Sequence, residues 1–219
     1  MVTYPMGSIS KQSWLDLFKQ NAVQKDYSLN AIIDFQGRSS DSVGLVISGR
    51  IEAVVFSENG DEVWIAEFSE GEFIGHMSFL NEATSQFELV AKSDVCLARI
   101  PAQKLRNLIH IEEPLREALI QDFARRLDIT SQNLVNAYTL SAKGRICAEL
   151  IRLSREIGIA PDKFIIRPNP VCVELARRVN STRETVSRTV SDLQKMGILS
   201  REPGALIIHN PKKLETVYK

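Results

Sequence analysis

Residues 171–200 read VCVELARRVNSTRETVSRTVSDLQKMGILS, and the apolar spacing in this stretch decides the fold of the C-terminal third. Leu175, Ala176 and Val179 recur at helical spacing before Asn180, and Val186, Val190 and Leu193 do so after it, which makes two short amphipathic helices. Asn tolerates a left-handed backbone at little cost, so Asn180 suits the tight turn between them. Ser181 stands where an N-cap is wanted, with Glu184 three residues on at capping-box spacing. The pattern is a helix-turn-helix. Opposite the apolar face of its second helix lie Glu184, Ser187, Arg188 and Ser191, with Arg183 beside them.

Such a face carries the groups that read DNA. In a major groove, Arg donates two bonds to guanine O6 and N7, and Glu accepts one from cytosine N4. Ser181 and Thr182, at the helix N-terminus, suit phosphate positioning through hydroxyl and backbone N–H groups. The net charge of +0 hides a segregation: residues 1–139 hold 12 Lys+Arg against 19 Asp+Glu, and residues 140–219 hold 15 against 8. The basic part is the one with the helix-turn-helix, which is the footprint expected of phosphate binding.

STRETVSR, residues 181–188, resembles the recognition helix of the cyclic-AMP receptor and fumarate-nitrate regulator family of bacterial transcription factors. The resemblance implies a homodimer on double-stranded DNA, RNA polymerase as a further partner, and a transcription regulator rather than an enzyme. It also implies two half-site classes. Arg183, Glu184 and Arg188 fit the pattern that favours TGTGA, and Glu184, Ser187 and Arg188 the one that favours TTGAT. Glu184 and Arg188 then meet the shared G·C pair, and Arg183 versus Ser187 decides the outer base.

The rest of the chain supports an α+β protein. Residues 9–22 read as a short amphipathic helix with Trp14, Leu15, Leu17 and Phe18 on its apolar face. From Tyr27 to Ile100 the period is two, with strands expected at Ala31–Ile33, Val43–Ile47, Ile51–Phe56, Val63–Phe68 and Val95–Ile100, and a hairpin at Ser57-Glu58-Asn59-Gly60. Short antiparallel strands at this density make a sandwich or small barrel; the resemblance makes it a double-stranded β-helix, or jelly roll, that holds an effector. Ala102–His110 reads as a helix, and a second runs from Pro114 to about Tyr138 without a breaker. Its stripe of Leu115, Leu119, Phe123, Leu127, Leu134 and Tyr138, widened by Ile120, Ala124 and Val135, suggests burial against its own domain and against the same helix of a second subunit.

Ser141 can cap a new helix that Gly158 stops, with Gly158–Asp162 as a loop and Phe164–Ile166 as a strand. Asn169-Pro170 reads as a cap plus first-turn proline. Leu199–Glu202 and Ala205–Ile208 form a two-stranded wing, and Asn210-Pro211 starts a last helix. The expected domains are a jelly-roll sensor over 1–110, a dimerisation helix over 111–139 and a winged helix-turn-helix over 140–219.

Gly71-Glu72-Phe73-Ile74-Gly75 resembles the start of the family's phosphate cassette, but the continuation departs from it. His76 replaces the Glu that holds the ribose, and Gln86-Phe87 replace the Arg-Ser pair that holds the cyclic phosphate. Thr130 and Ser131 do match the pair that meets the adenine. Losing the Arg removes the partner of a buried phosphate, a cost of about 3–5 kcal/mol. Cyclic AMP is therefore not the expected effector. Phe73, Gly75, His76, Met77, Gln86 and Phe87, with Phe79 nearby, suit an uncharged or apolar effector or a pocket filled by its own side chains. A haem held by His76 is an alternative drawn from the resemblance.

Three scattered cysteines, Cys96, Cys147 and Cys172, support neither a disulfide framework nor a zinc or iron–sulfur site. A cupin-like metalloenzyme needs clustered His ligands, and His76, His110 and His209 fall in three different segments. No leader peptide and no membrane-spanning run is evident, so a cytoplasmic protein is expected.

Overall fold

The computed structural model describes residues 11–218 apart from 39, 59, 61, 77–78, 80–83, 157–163 and 168. Met77 and the Gly158–Asp162 loop therefore lie outside the described residues. The chain forms two compact units, divided after Leu127.

In the first unit α1 (Lys11–Asn21) precedes β1 (Val23–Tyr27), β2 (Ile32–Asp34), β3 (Ser42–Ser48), β4 (Ile51–Phe56), β5 (Glu62–Phe68), β6 (Phe73–Ile74), β7 (Glu88–Ala91) and β8 (Val95–Pro101). Then come α2 (Ala102–Ile111) and the long helix α3 (Glu113–Thr139), whose second half belongs to the other unit. One sheet is ordered β1-β8-β3-β6 and the other β2-β7-β4-β5, antiparallel throughout. These crossed orders are those of a jelly roll and not of a simple meander. The β4–β5 hairpin is present, closed by the Gly60 N–H on the Ser57 carbonyl at 2.9 Å, and Asn59 lies outside the described residues. Val46, Ile51, Ala53, Leu89, Ala91, Val95 and Leu97 fill the space between the sheets.

Strands β1, β6 and β7 were not expected from the sequence. VQKDY of β1 is exposed at four of its five positions, so nothing apolar marks it; only its pairing with β8 makes it a strand.

The phase of the stripe on α3 needs correction. Leu115 and Leu119 are 0% and 5% exposed and pack with Phe18, Leu45, Phe73, Ile100 and Leu105 in the core of their own unit. Phe123 turns its ring toward His76, with centroids 4.7 Å apart. Leu115 and Leu119 are thus spent within the first unit and cannot form an interface, while Phe123 is half-buried. The exposed apolar line runs instead through Ile120, Leu127, Leu134 and Tyr138, with Ala124 and Ser131 exposed between them. Positions 120, 124, 127, 131, 134 and 138 alternate steps of four and three, the spacing of a coiled-coil seam.

In the second unit Ser141 caps α4 (Ala142–Glu156) by accepting the Gly144 N–H at 3.2 Å. Next follow β9 (Phe164–Ile166), α5 (Cys172–Arg178), α6 (Arg183–Lys195), β10 (Leu199–Glu202), β11 (Ala205–Ile208) and α7 (Pro211–Tyr218). The wing is larger than expected, because β9 joins it in the order β10-β11-β9. Ile146, Leu150, Leu175, Val186, Val190, Leu193, Ile198 and Leu214 make one core. Asn169-Pro170 does not start a helix: α5 begins at Cys172 with no side-chain cap, and the Asn169 N–H goes to the Gly204 carbonyl.

Candidate nucleic-acid interface and sensor site

Asn180 adopts φ +46°, as its place in the turn requires. The Ser181 N–H donates to the Ala176 carbonyl and the Asn180 N–H to the Arg177 carbonyl, which is the Schellman closure of α5. That closure uses the Ser181 N–H, the group that a capping-box Glu184 would have to accept. The N-cap of α6 is Thr182, whose hydroxyl accepts the Thr185 N–H at 3.1 Å, and the expected capping box from Ser181 to Glu184 does not form. The N–H groups of Arg183 and Glu184 stand at the open end of the helix, where the dipole favours an anion.

Arg183, Glu184, Ser187 and Arg188 are all exposed, while Val186, Thr189, Val190 and Leu193 face the core. Thr182 is exposed and Ser181 half-buried at the helix start. The Glu184 carboxylate pairs with the Arg188 guanidinium one turn on, with side chains 79% and 73% exposed. An exposed pair of this kind is worth about 0.5 kcal/mol or less, so it orients the two groups without withholding them from a ligand.

The sensor residues of the first unit are paired among themselves. Arg125 and Arg126 of α3 both reach Glu72 on the turn before β6, at 2.6 and 3.5 Å, and both bond Asp122 at 2.7 and 3.2 Å. The Arg126 guanidinium lies 3.8 Å from the centroid of the Phe68 ring, and burial lowers its affinity for a proton. The sequence contains a signal for part of this clamp, since Asp122 precedes Arg125 and Arg126 by three and four residues, but its partner Glu72 is distant in the chain and no spacing marks it. Phe73 is fully buried, and Gly75 adopts φ +74° where a Cβ would stand 2.8 Å from the Ser42 carbonyl oxygen. Gln86 is exposed, and Phe87 packs half-buried against the inter-sheet core. Thr130 and Ser131 are exposed on α3.

His76 is 4% exposed, and its Nδ1 has no hydrogen-bond partner. Burial, reinforced by the charge of Arg126, pushes its pKa down to about 4. The unfolded chain binds this proton near pH 6.5 and the folded chain only near 4, so stability falls as the pH drops through that window. The slope is about 1.4 kcal/mol per pH unit, close to 3 kcal/mol in all. Urea titrations from pH 7 to 4 should show wild type losing this much more than His76→Phe; equal losses would mean the ring is charged in the fold.

Residues 24–112 match the family model of the cyclic nucleotide-binding domain, and residues 144–217 that of the Crp-like helix-turn-helix domain. The cAMP-activated global transcriptional regulator CRP of Salmonella typhimurium is 23% identical over 213 residues, covering 94% of this chain and 99% of that protein. Its counterpart in Pasteurella multocida is 25% identical over 201 residues, covering 90% and 95%. Among solved structures, the c-di-GMP responsive global regulator CLP of Xanthomonas campestris superposes with a TM-score of 0.74 at 23% identity, covering 91% of this chain and 99% of that one. A CooA mutant from Carboxydothermus hydrogenoformans gives 0.80 at 19% identity, covering 92% and 89%. At these identities the structural likeness establishes the fold.

Proposed function

Because the chain belongs to the CRP/FNR family of transcriptional regulators, we propose that it binds a palindromic operator as a homodimer, without the cyclic-AMP switch of its named relatives. The observation that carries this reading is the capped α6, which holds Arg183, Glu184, Ser187 and Arg188 outward on the unit that concentrates the positive charge. Two copies related by a two-fold axis require half-sites about one helical turn apart. The seam Ile120–Leu127–Leu134–Tyr138 supports the dimer, because an exposed line of this length on one helix is what a two-stranded contact buries. Ser131 falls on that seam, which favours an interface role for it over contact with an effector. Such a protein works on the chromosome, in the cytoplasm, with RNA polymerase as its further partner; no described helix is long and apolar enough to cross a membrane.

The residues present do not fit cyclic AMP. The phosphate's Arg is replaced by an exposed Gln86, and the ribose's Glu by a neutral, buried His76. Arg125 and Arg126, which reach the cassette's Glu72, are engaged with it and with Asp122. The burial of His76 and its packing against Phe123 support a side-chain-filled pocket over one that holds haem. The sensor reads best as a pocket closed by its own side chains, with regulation through the protein's abundance.

Selection of random duplex DNA by purified protein, with and without cyclic AMP, tests both halves of the proposal. A TGTGA- or TTGAT-like palindrome should emerge in both arms with equal enrichment. Enrichment only with the nucleotide would overturn the reading of the sensor, and no enriched palindrome would overturn the regulator.

A further inference from the structure

Arg145, in the first turn of α4, spreads its guanidinium over three backbone carbonyls from two distant places in the chain. Nε donates to the Val179 carbonyl at 2.9 Å, Nη2 to that of Asn180 at 3.1 Å, and Nη1 to that of Leu140 at 3.1 Å. Val179 and Asn180 are the turn of the helix-turn-helix; Leu140 is the residue at which the long helix ends, its N–H still bonded to the Asn136 carbonyl. Carbonyls at a helix C-terminus lack intrahelical partners, and a cation there is favoured by the dipole. A planar fork with five donors satisfies all three at once, which an ammonium group on a flexible stem cannot do.

We infer that Arg145 is the positioning residue that holds the reader helix in a fixed relation to the end of the long helix. Asn180 carries the left-handed turn from which α6 departs, and the Schellman closure and the Thr182 cap both follow within two residues. A fork on the Asn180 carbonyl therefore sets the direction in which Arg183, Glu184 and Arg188 leave the unit. Its third tooth, on Leu140, ties that direction to α3. Arg145 itself need not touch DNA. The inference rests on the DNA-reading function proposed above.

The experiment compares full-length wild type, Arg145→Ala and Arg145→Lys in binding to the selected palindrome and to random duplex over a range of salt, with amide exchange measured on the free proteins. Wild type should prefer the palindrome. Arg145→Ala should lose at least about tenfold of that preference, while binding to random duplex and the salt dependence stay unchanged. Exchange should rise together at the Leu140 and Ser181 amides. Arg145→Lys should fold and fail to restore the preference, and it decides the matter if the Ala variant does not fold. Full preference in either variant, or a weaker salt dependence that marks a phosphate contact, would overturn the inference. A wild type with no preference would overturn the DNA-reading function itself.

Discussion

A chain carrying Leu127→Glu together with Leu134→Glu is expected to sediment as a folded monomer and to bind the palindrome about a thousandfold more weakly than wild type. Both side chains are more than half exposed within the protomer, at 69% and 58%, so neither change removes a contact inside it. Surface substitutions of that kind shift stability by about 0.5 kcal/mol. Across a two-fold seam the same carboxylates would face their own copies in a desolvated contact, and like charges there are strongly unfavourable. Loss of the dimer removes the effective concentration with which the second reader helix meets the second half-site, a factor of about 10²–10⁴. Sedimentation equilibrium with DNA titration checks both numbers. A variant that stayed dimeric would place the interface elsewhere. Leu119→Glu serves as contrast, because it buries a carboxylate in the core of the first unit and should unfold that unit.

Arg188→Ala is expected to weaken binding to the selected palindrome by about 1–3 kcal/mol per half-site contact while leaving affinity for random duplex nearly unchanged. The guanidinium is exposed and its protein partner is Glu184, so truncation costs the fold little. On the proposed function, what is lost is a bidentate bond to guanine, which a non-cognate duplex would not offer in register. Glu184 then lacks its orienting cation, so Glu184→Ala and Arg188→Ala should combine to less than the sum of their separate effects. Titration of labelled palindrome and of random duplex measures the two affinities.

The helix-turn-helix was legible because its signals are local. Asn180 needed only its φ preference, and Val186, Val190 and Leu193 needed only a period, to place the turn and the buried face of α6. The cap falls one residue later than the sequence suggests: Ser181 and Thr182 are both cap-forming types, and only the bond from the Thr185 N–H to the Thr182 hydroxyl distinguishes them. The stripe on α3 failed for a different reason. Leu at steps of four looks the same whether it faces its own core or a partner, and the burial of Leu115 and Leu119 beside Phe18 and Leu105 comes from packing that the helix's own sequence does not contain. Half of the sensor clamp is local, Asp122 with Arg125 and Arg126, but its Glu72 partner lies more than fifty residues away and no spacing points to it. Arg145 resembled any basic residue on a helix until its three carbonyls were placed.

The regulatory reading depends on α6 presenting guanidinium and carboxylate to base edges in two symmetry-related grooves. Guanine N7 methylation interference on the selected palindrome, with wild type and Arg188→Ala side by side, addresses that contact directly. Methylation of one guanine in each half-site should block wild type and make no difference to Arg188→Ala. Binding by wild type that tolerates methylation at every guanine would mean that Arg188 does not read the major groove.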